Sequence, residues 1–187
     1  DVPPMGLCGS ALIDLLAELL KSGLIDWTGT FRKDVDTERL RKGPDGWEYV
    51  VVWKEETGID EDITITQRDV RELQKAKAAI RAAAETLLDN LGLQPHDVER
   101  MILTGSFGSQ VDVEAVVELG MIPPVDLDVV ETSANGAGFG AALFLDDEEF
   151  ARGERIAEMA RQVDLDLDAD FNRRFIEAME LPGRPPG

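Results

Sequence analysis

The chain has 187 residues, 43% of them hydrophobic and 30% charged, and 38 acidic against 19 basic residues give a formal net charge of −19. That length allows one large domain or two small ones with a real core. The charge argues against nucleic acid or an anionic membrane surface as partner, because phosphates would be repelled over most of the molecule. It reads as a solubility feature or as an acidic face for a basic partner. No apolar run approaches the ~20 residues of a membrane-spanning helix. Cys8 is the one cysteine, which leaves no internal disulfide, thiolate metal cluster or iron–sulfur centre within these residues. His96 is the one histidine and follows Pro95 in a polar loop, so a histidine-dependent hydrolase or a zinc enzyme has no basis here. The opening at Asp1 has no signal-peptide pattern and no initiator methionine. We therefore expect a piece of a longer, cytoplasmic protein.

Leu12, Leu15, Leu16, Leu19 and Leu20 recur at helical spacing and predict a helix over about 11–22, with Ser10 as N-cap and Gly23 as terminator. Residues 24–65 read differently. Trp27, Phe31, Trp47, the run Tyr49 to Trp53 and Ile63 to Ile65 suggest short strands, broken by the turn Lys42-Gly43-Pro44-Asp45-Gly46. We expect a β-rich insertion or a sheet edge there. Thr66 followed by Asp69 predicts a capping-box-like start to a long helix that runs to about Leu91 and stops at Gly92.

A buried strand is predicted over 99–103, a short helix over 113–119 and a strand near 127–130. A glycine- and alanine-rich helix over about 136–145 and an amphipathic helix over about 148–161 follow. Val163 to Leu167 suggests a last edge strand, and 169–179 a last helix. We expect one domain over 1–183 and a disordered tail at 184–187.

Two segments join a strand to glycines and then to a helix. The first is Ile102-Leu103-Thr104-Gly105-Ser106-Phe107-Gly108, and the second is Asn135-Gly136-Ala137-Gly138-Phe139-Gly140. Neither is a Walker loop or a dinucleotide fingerprint, since the lysine and the spacing those require are missing. Glycine-rich strand-to-helix turns also arise for packing reasons alone. The order of elements is more specific: a long helix carrying Gln74 and Lys77 precedes the Gly105 turn, and a small-residue helix follows it. That layout resembles the adenosine-binding subdomain of the actin-like, sugar-kinase-like and heat-shock-chaperone ATPases. On this reading Gly105, Ser106, Phe107 and Gly108 face a nucleotide, with Gln74 and Lys77 on its adenosine side. Lys77 reads equally well as an exposed helix cation.

The segments Pro4-Met5-Gly6-Leu7-Cys8-Gly9-Ser10-Ala11-Leu12-Ile13-Asp14, Ile65 to Ile80, Leu103 to Gly108 and Asp170-Phe171-Asn172-Arg173-Arg174-Phe175-Ile176-Glu177-Ala178 narrow the likeness. Together they resemble the ferredoxin-containing reductive activators of corrinoid proteins over nearly the whole chain. Ala11 stands where that family has a second glycine, and the asparagine of its glycine-rich segment is shifted to Asn135. Cys8 matches a family position and reads as a small buried residue at a helix start. The resemblance implies an α/β fold, the RNase-H-like half of an actin/chaperone-type ATPase with a β insertion and extra C-terminal helices. It also implies ATP as cofactor, with Mg²⁺ and phosphate-binding residues upstream of this segment, and a [2Fe–2S] domain only in the full-length protein.

The implied activity is ATP-dependent return of a Co(II) corrinoid methyl-transfer protein to Co(I). The partner would be a corrinoid protein or corrinoid-dependent methyltransferase, and a homodimer is possible. A non-catalytic docking module using the Trp27–Trp53 region, or part of a small-molecule kinase of the same superfold, are the other readings.

Overall fold

The computed structural model describes residues 2–105 and 110–184. Helix α1 spans Gly9–Lys21, and Gly23 ends it with φ at +71°, a left-handed conformation that suits glycine. Its cap differs from expectation. Cys8, not Ser10, holds the extended cap position, because Gly9 already has helical geometry. Ser10 is buried in the first turn, with its hydroxyl 3.3 Å from the Cys8 sulfur, and Cys8 itself is exposed.

Three antiparallel strands follow in the order β1 (Leu40–Gly43), β2 (Gly46–Val52) and β3 (Ile63–Thr66). Gly43 pairs with Gly46 across the expected Pro44-Asp45 turn, and the β2–β3 register shifts between Val50 and Val52. Thr66 then caps α2 (Gln67–Asn90) with the reciprocal bonds of a capping box: Asp69 N–H donates to Thr66 Oγ1, and Thr66 N–H donates to Asp69.

Leu16 and Leu19 of α1, Ile65 of β3, Val70 of α2, Ile25 and Phe31 form the main core. Leu181, which follows the last helix, closes it. Such fully buried aliphatic side chains contribute about 1.5–3 kcal/mol each by removal from water.

The second sheet is a parallel pair, β4 (Met101–Gly105) with β5 (Val130–Ala134), in register from Met101↔Val130 to Gly105↔Ala134. Helix α3 (Val113–Glu118) lies between them in sequence and packs on α1. Val116, Ile122 and Val125 form a smaller core with Ile13, Met101, Leu103 and Val130 around it. Helices α4 (Gly136–Leu143), α5 (Asp147–Met159) and α6 (Ala169–Ala178) complete the order, and α6 lies along α2.

The second half departs from expectation in three places. Strand β4 is not buried, since Ile102 is 48% exposed. Leu127–Val129 is a 3₁₀ turn, and the strand begins only at Val130. Leu165–Leu167 is another 3₁₀ turn rather than an edge strand. In both turns aspartates alternate with the apolar residues, and chain reversal takes precedence over extension. Among the described residues no helix is long and apolar enough to cross a membrane.

Candidate functional site

The parallel pair places the carboxyl ends of β4 and β5 side by side, with Gly105 next to Ala134 and the start of α4. Ligands of α/β sheets bind at this end, where chain reversal exposes backbone. Gly105 has φ +109° and open space where a Cβ would stand. Any other residue would be strained and would fill that space. Ser106, Phe107 and Gly108, the rest of the expected turn, lie outside the described residues.

The tip of α4 is built by Thr104 and Asn135, which sequence reasoning passed over. Asn135 has left-handed geometry (φ 47°, ψ 50°), and its side chain accepts the Gly138 N–H at 3.1 Å. Asparagine tolerates that conformation best among residues with a Cβ. Thr104 Oγ1 accepts the Gly136 N–H at 3.1 Å, tying α4 to β4. A Cβ on Gly136 would meet that hydroxyl at 2.7 Å, so Gly136 is small because the two elements touch. The consequence is chemical. Gly136 and Gly138 have already donated their N–H groups within the chain, so this tip is poorly placed to bind phosphate. What the edge offers a ligand is close approach to main chain at Gly105.

Gln74 and Lys77 lie elsewhere. Both are buried, at 4% and 3% exposure, and both reach the segment after α6. Gln74 Nε2 donates to Met179 O at 2.8 Å and to Thr28 O at 3.1 Å, and its Oε1 accepts from Arg71 Nη1 at 2.7 Å. Lys77 Nζ donates to Glu180 O at 2.8 Å. Desolvation, helped by the like charge of Arg81, lowers the Lys77 pKa from 10.5 to about 8. The structure thus brings Gln74 and Lys77 together with the chain's own C-terminal carbonyls, and no contact joins either to Gly105. Arg184, expected in the tail, stacks over Trp27 at 5.0 Å, and residues 185–187 lie outside the described residues.

Among the described residues, several cavities flank this half of the molecule. One of about 620 Å³ lies between Met5–Leu7 and the β3–α2 corner, and one of about 340 Å³ lies beside Lys77. Among the described residues, neither is lined by Gly105 or Asn135. Among the described residues no three carboxylate, histidine or cysteine side chains converge as cation ligands. With one cysteine in the chain, a [2Fe–2S] cluster, which takes four ligands, does not fit it.

The parallel β4–β5 pair joined through α3, with Gly105 at its carboxyl edge, is part of an α/β fold of the ASKHA type. The chain belongs to the family described as the C-terminal domain of RACo, the ASKHA domain, whose model matches residues 1–186. It is 35% identical over 181 residues to the corrinoid activation enzyme RamQ of Eubacterium limosum, covering 92% of this chain and 30% of that protein. It is 29% identical over 162 residues to the [Co(II) methylated amine-specific corrinoid protein] reductase of Methanosarcina barkeri, covering 87% of this chain and 26% of that one.

A solved structure, a reductive activator for corrinoid, iron-sulfur protein, superposes with a TM-score of 0.92 at 34% identity. The match covers 98% of this chain and 30% of the solved chain. The chain thus spans less than a third of the length of the relatives it matches. The family and the α/β fold implied by the sequence motifs are therefore shown.

Proposed function

We propose that this chain is the nucleotide-binding C-terminal portion of an ATP-dependent activator that returns a Co(II) corrinoid protein to Co(I). The observation that carries the reading is the Gly105 edge of the β4–β5 pair, set in a chain that belongs to an activator family along 186 residues. Gly105 would let the sugar end of ATP approach main chain. The used-up N–H groups of Gly136 and Gly138 agree with phosphate and Mg²⁺ ligands supplied by the rest of a longer protein. A [2Fe–2S] electron donor belongs there too.

ATP supplies the energy that makes reduction of the low-potential cobalt favourable. The partner is a corrinoid protein or corrinoid-dependent methyltransferase. Gln74 and Lys77 would meet adenosine only if Met179 and Glu180 released them, so their role on that side is the part of the proposal with the largest rearrangement. The exposed side chains Ile102, Phe139, Leu143 and Ile156 would pack against the remainder of that longer protein.

The test is cobalt reduction, followed by absorbance, with the longer protein, a reductant and a Co(II) corrinoid protein. We expect reduction to require ATP, and Gly105→Val to raise the KM for ATP at least ~10-fold, equal to about 1.4 kcal/mol of lost binding. Reduction that proceeds equally well without ATP overturns the reading.

A further inference from the structure

A cavity lies where α2, α6 and the chain after α3 meet. Lys77 and Arg81 are one turn apart on α2 and point to the same place: a Cβ on Gly120 would stand 3.6 Å from Arg81 Nη1 and 3.9 Å from Lys77 Nζ. Gly120 itself has φ +63°. Lys77, Arg81, Gly120 and, from α6, Arg174 line the same cavity of about 340 Å³. Glu85, Glu177 and Glu180 line it too, so in a chain of net charge −19 the cavity sets three cations against three carboxylates.

The carboxylates of the cavity do not neutralise Lys77. Glu85 pairs with Arg81, Glu177 with Arg173 and Glu180 with Arg184, and Asp89 pairs with Arg174. Among the described residues, the one partner of the Lys77 ammonium is the neutral carbonyl of Glu180 at 2.8 Å. Arg81 is anchored on the Ile122 carbonyl at 2.8 Å, which holds its charge beside Lys77. Lys77 is a buried residue whose ammonium has two further N–H donors and no carboxylate partner among the described residues, an arrangement that an anion in the cavity would complete.

We propose that the cavity between α2, α6 and Gly120 is a binding site for a small oxyanion of the phosphate type, received by Lys77 with Arg81 and Arg174 beside it. The lowered pKa of Lys77 is what a receptor looks like before its counter-ion arrives, and bound anion would reverse it. Among the described residues its lining includes Gly120, from the chain that leaves α3, and not Gly105. The oxyanion could be free inorganic phosphate or a phosphate group of a nucleotide, and the probes separate the two.

The test is an NMR titration of the lysine side chains in the 187-residue protein, alone, with inorganic phosphate, with ADP, and with chloride at matched ionic strength. We expect the Lys77 pKa to rise by at least one unit with phosphate and not with chloride, and phosphate to raise the Tm of wild type but not of Lys77→Gln. A rise with ADP alone assigns the site to nucleotide phosphate and still supports an oxyanion receptor. An unmoved Lys77 pKa with both phosphate and ADP overturns the proposal. That titration needs no variant, so it decides the matter even if Lys77→Gln does not fold. It also needs no corrinoid or ATP hydrolysis, so its failure would bear on Lys77 alone and leave the Gly105 edge and the ATP requirement of cobalt reduction untouched.

Discussion

The two halves of this chain solve the burial problem differently. In the first, α1, the three-stranded sheet and α2 enclose a core whose members, Leu16, Leu19, Ile25, Ile65 and Val70, are almost completely withdrawn from water. In the second, β4, β5, α4 and α5 leave large apolar side chains in solvent: Ile102, Phe139, Leu143, Phe144, Ile156 and Met159. Helices α4 and α5 contribute no fully buried residue at all. The difference teaches that the tightest burial lies in the first half, while α4 and α5 keep their large apolar side chains at least partly in solvent.

The largest test of this contrast is Leu16→Ala. Leu16 is 1% exposed, so truncation removes transfer energy and leaves a cavity, and we expect a loss of about 2–5 kcal/mol in urea unfolding. A loss below ~1 kcal/mol would show that the α1 core is not where stability lies.

Next in size is a pH effect from the same half. The Lys77 pKa is about 8 folded, against 10.5 for the ordinary side chain. Between those values the unfolded chain binds more protons than the folded one, so stability increases as pH rises. Below about pH 8 both states carry the proton and the penalty is fully present. Above about 10.5 neither carries it and the penalty is gone. In phosphate-free buffer, we expect wild type to gain roughly 1–3 kcal/mol relative to Lys77→Met from neutral pH to about 10.5. Denaturation curves that stay parallel across that window would mean Lys77 is not desolvated.

How much of this was legible in the sequence also follows the contrast. Where an element buries one face inside the chain, the residues announce it. The leucine spacing of α1, the Thr66–Asp69 capping box and the Gly43–Gly46 hairpin are all observed. Where the covering surface lies elsewhere, the pattern is weak. Strand β5 reads Val-Glu-Thr-Ser-Ala, mostly polar and exposed, and the more apolar Leu127–Val129 before it looked the better strand.

The contacts that Gln74 and Lys77 make in the structure are illegible in the sequence for a third reason. Their acceptors, Met179 O and Glu180 O, are more than 100 residues away and are main-chain atoms, so no side-chain pattern in the sequence records them. Thr104 and Asn135 could have been found: an asparagine before Gly-x-Gly at a helix start signals a left-handed cap.

The smallest effect is the sharpest test of the open half. Ile102 points partly into solvent from β4, so Ile102→Ser removes little buried area, and we expect a change within about 0.5 kcal/mol in this chain by urea unfolding. The strand itself should survive, because its ladder to β5 is made by main chain and serine leaves the register Ile102↔Glu131 intact. In a longer protein that covers this face, the same substitution would place a hydroxyl in a buried interface and cost at least ~1 kcal/mol more. Equal small losses in both would mean that the exposed apolar side chains stay in water. Unequal losses would locate the missing contact surface on β4, beside the Gly105 edge, so that completing the fold and completing the site would be one event.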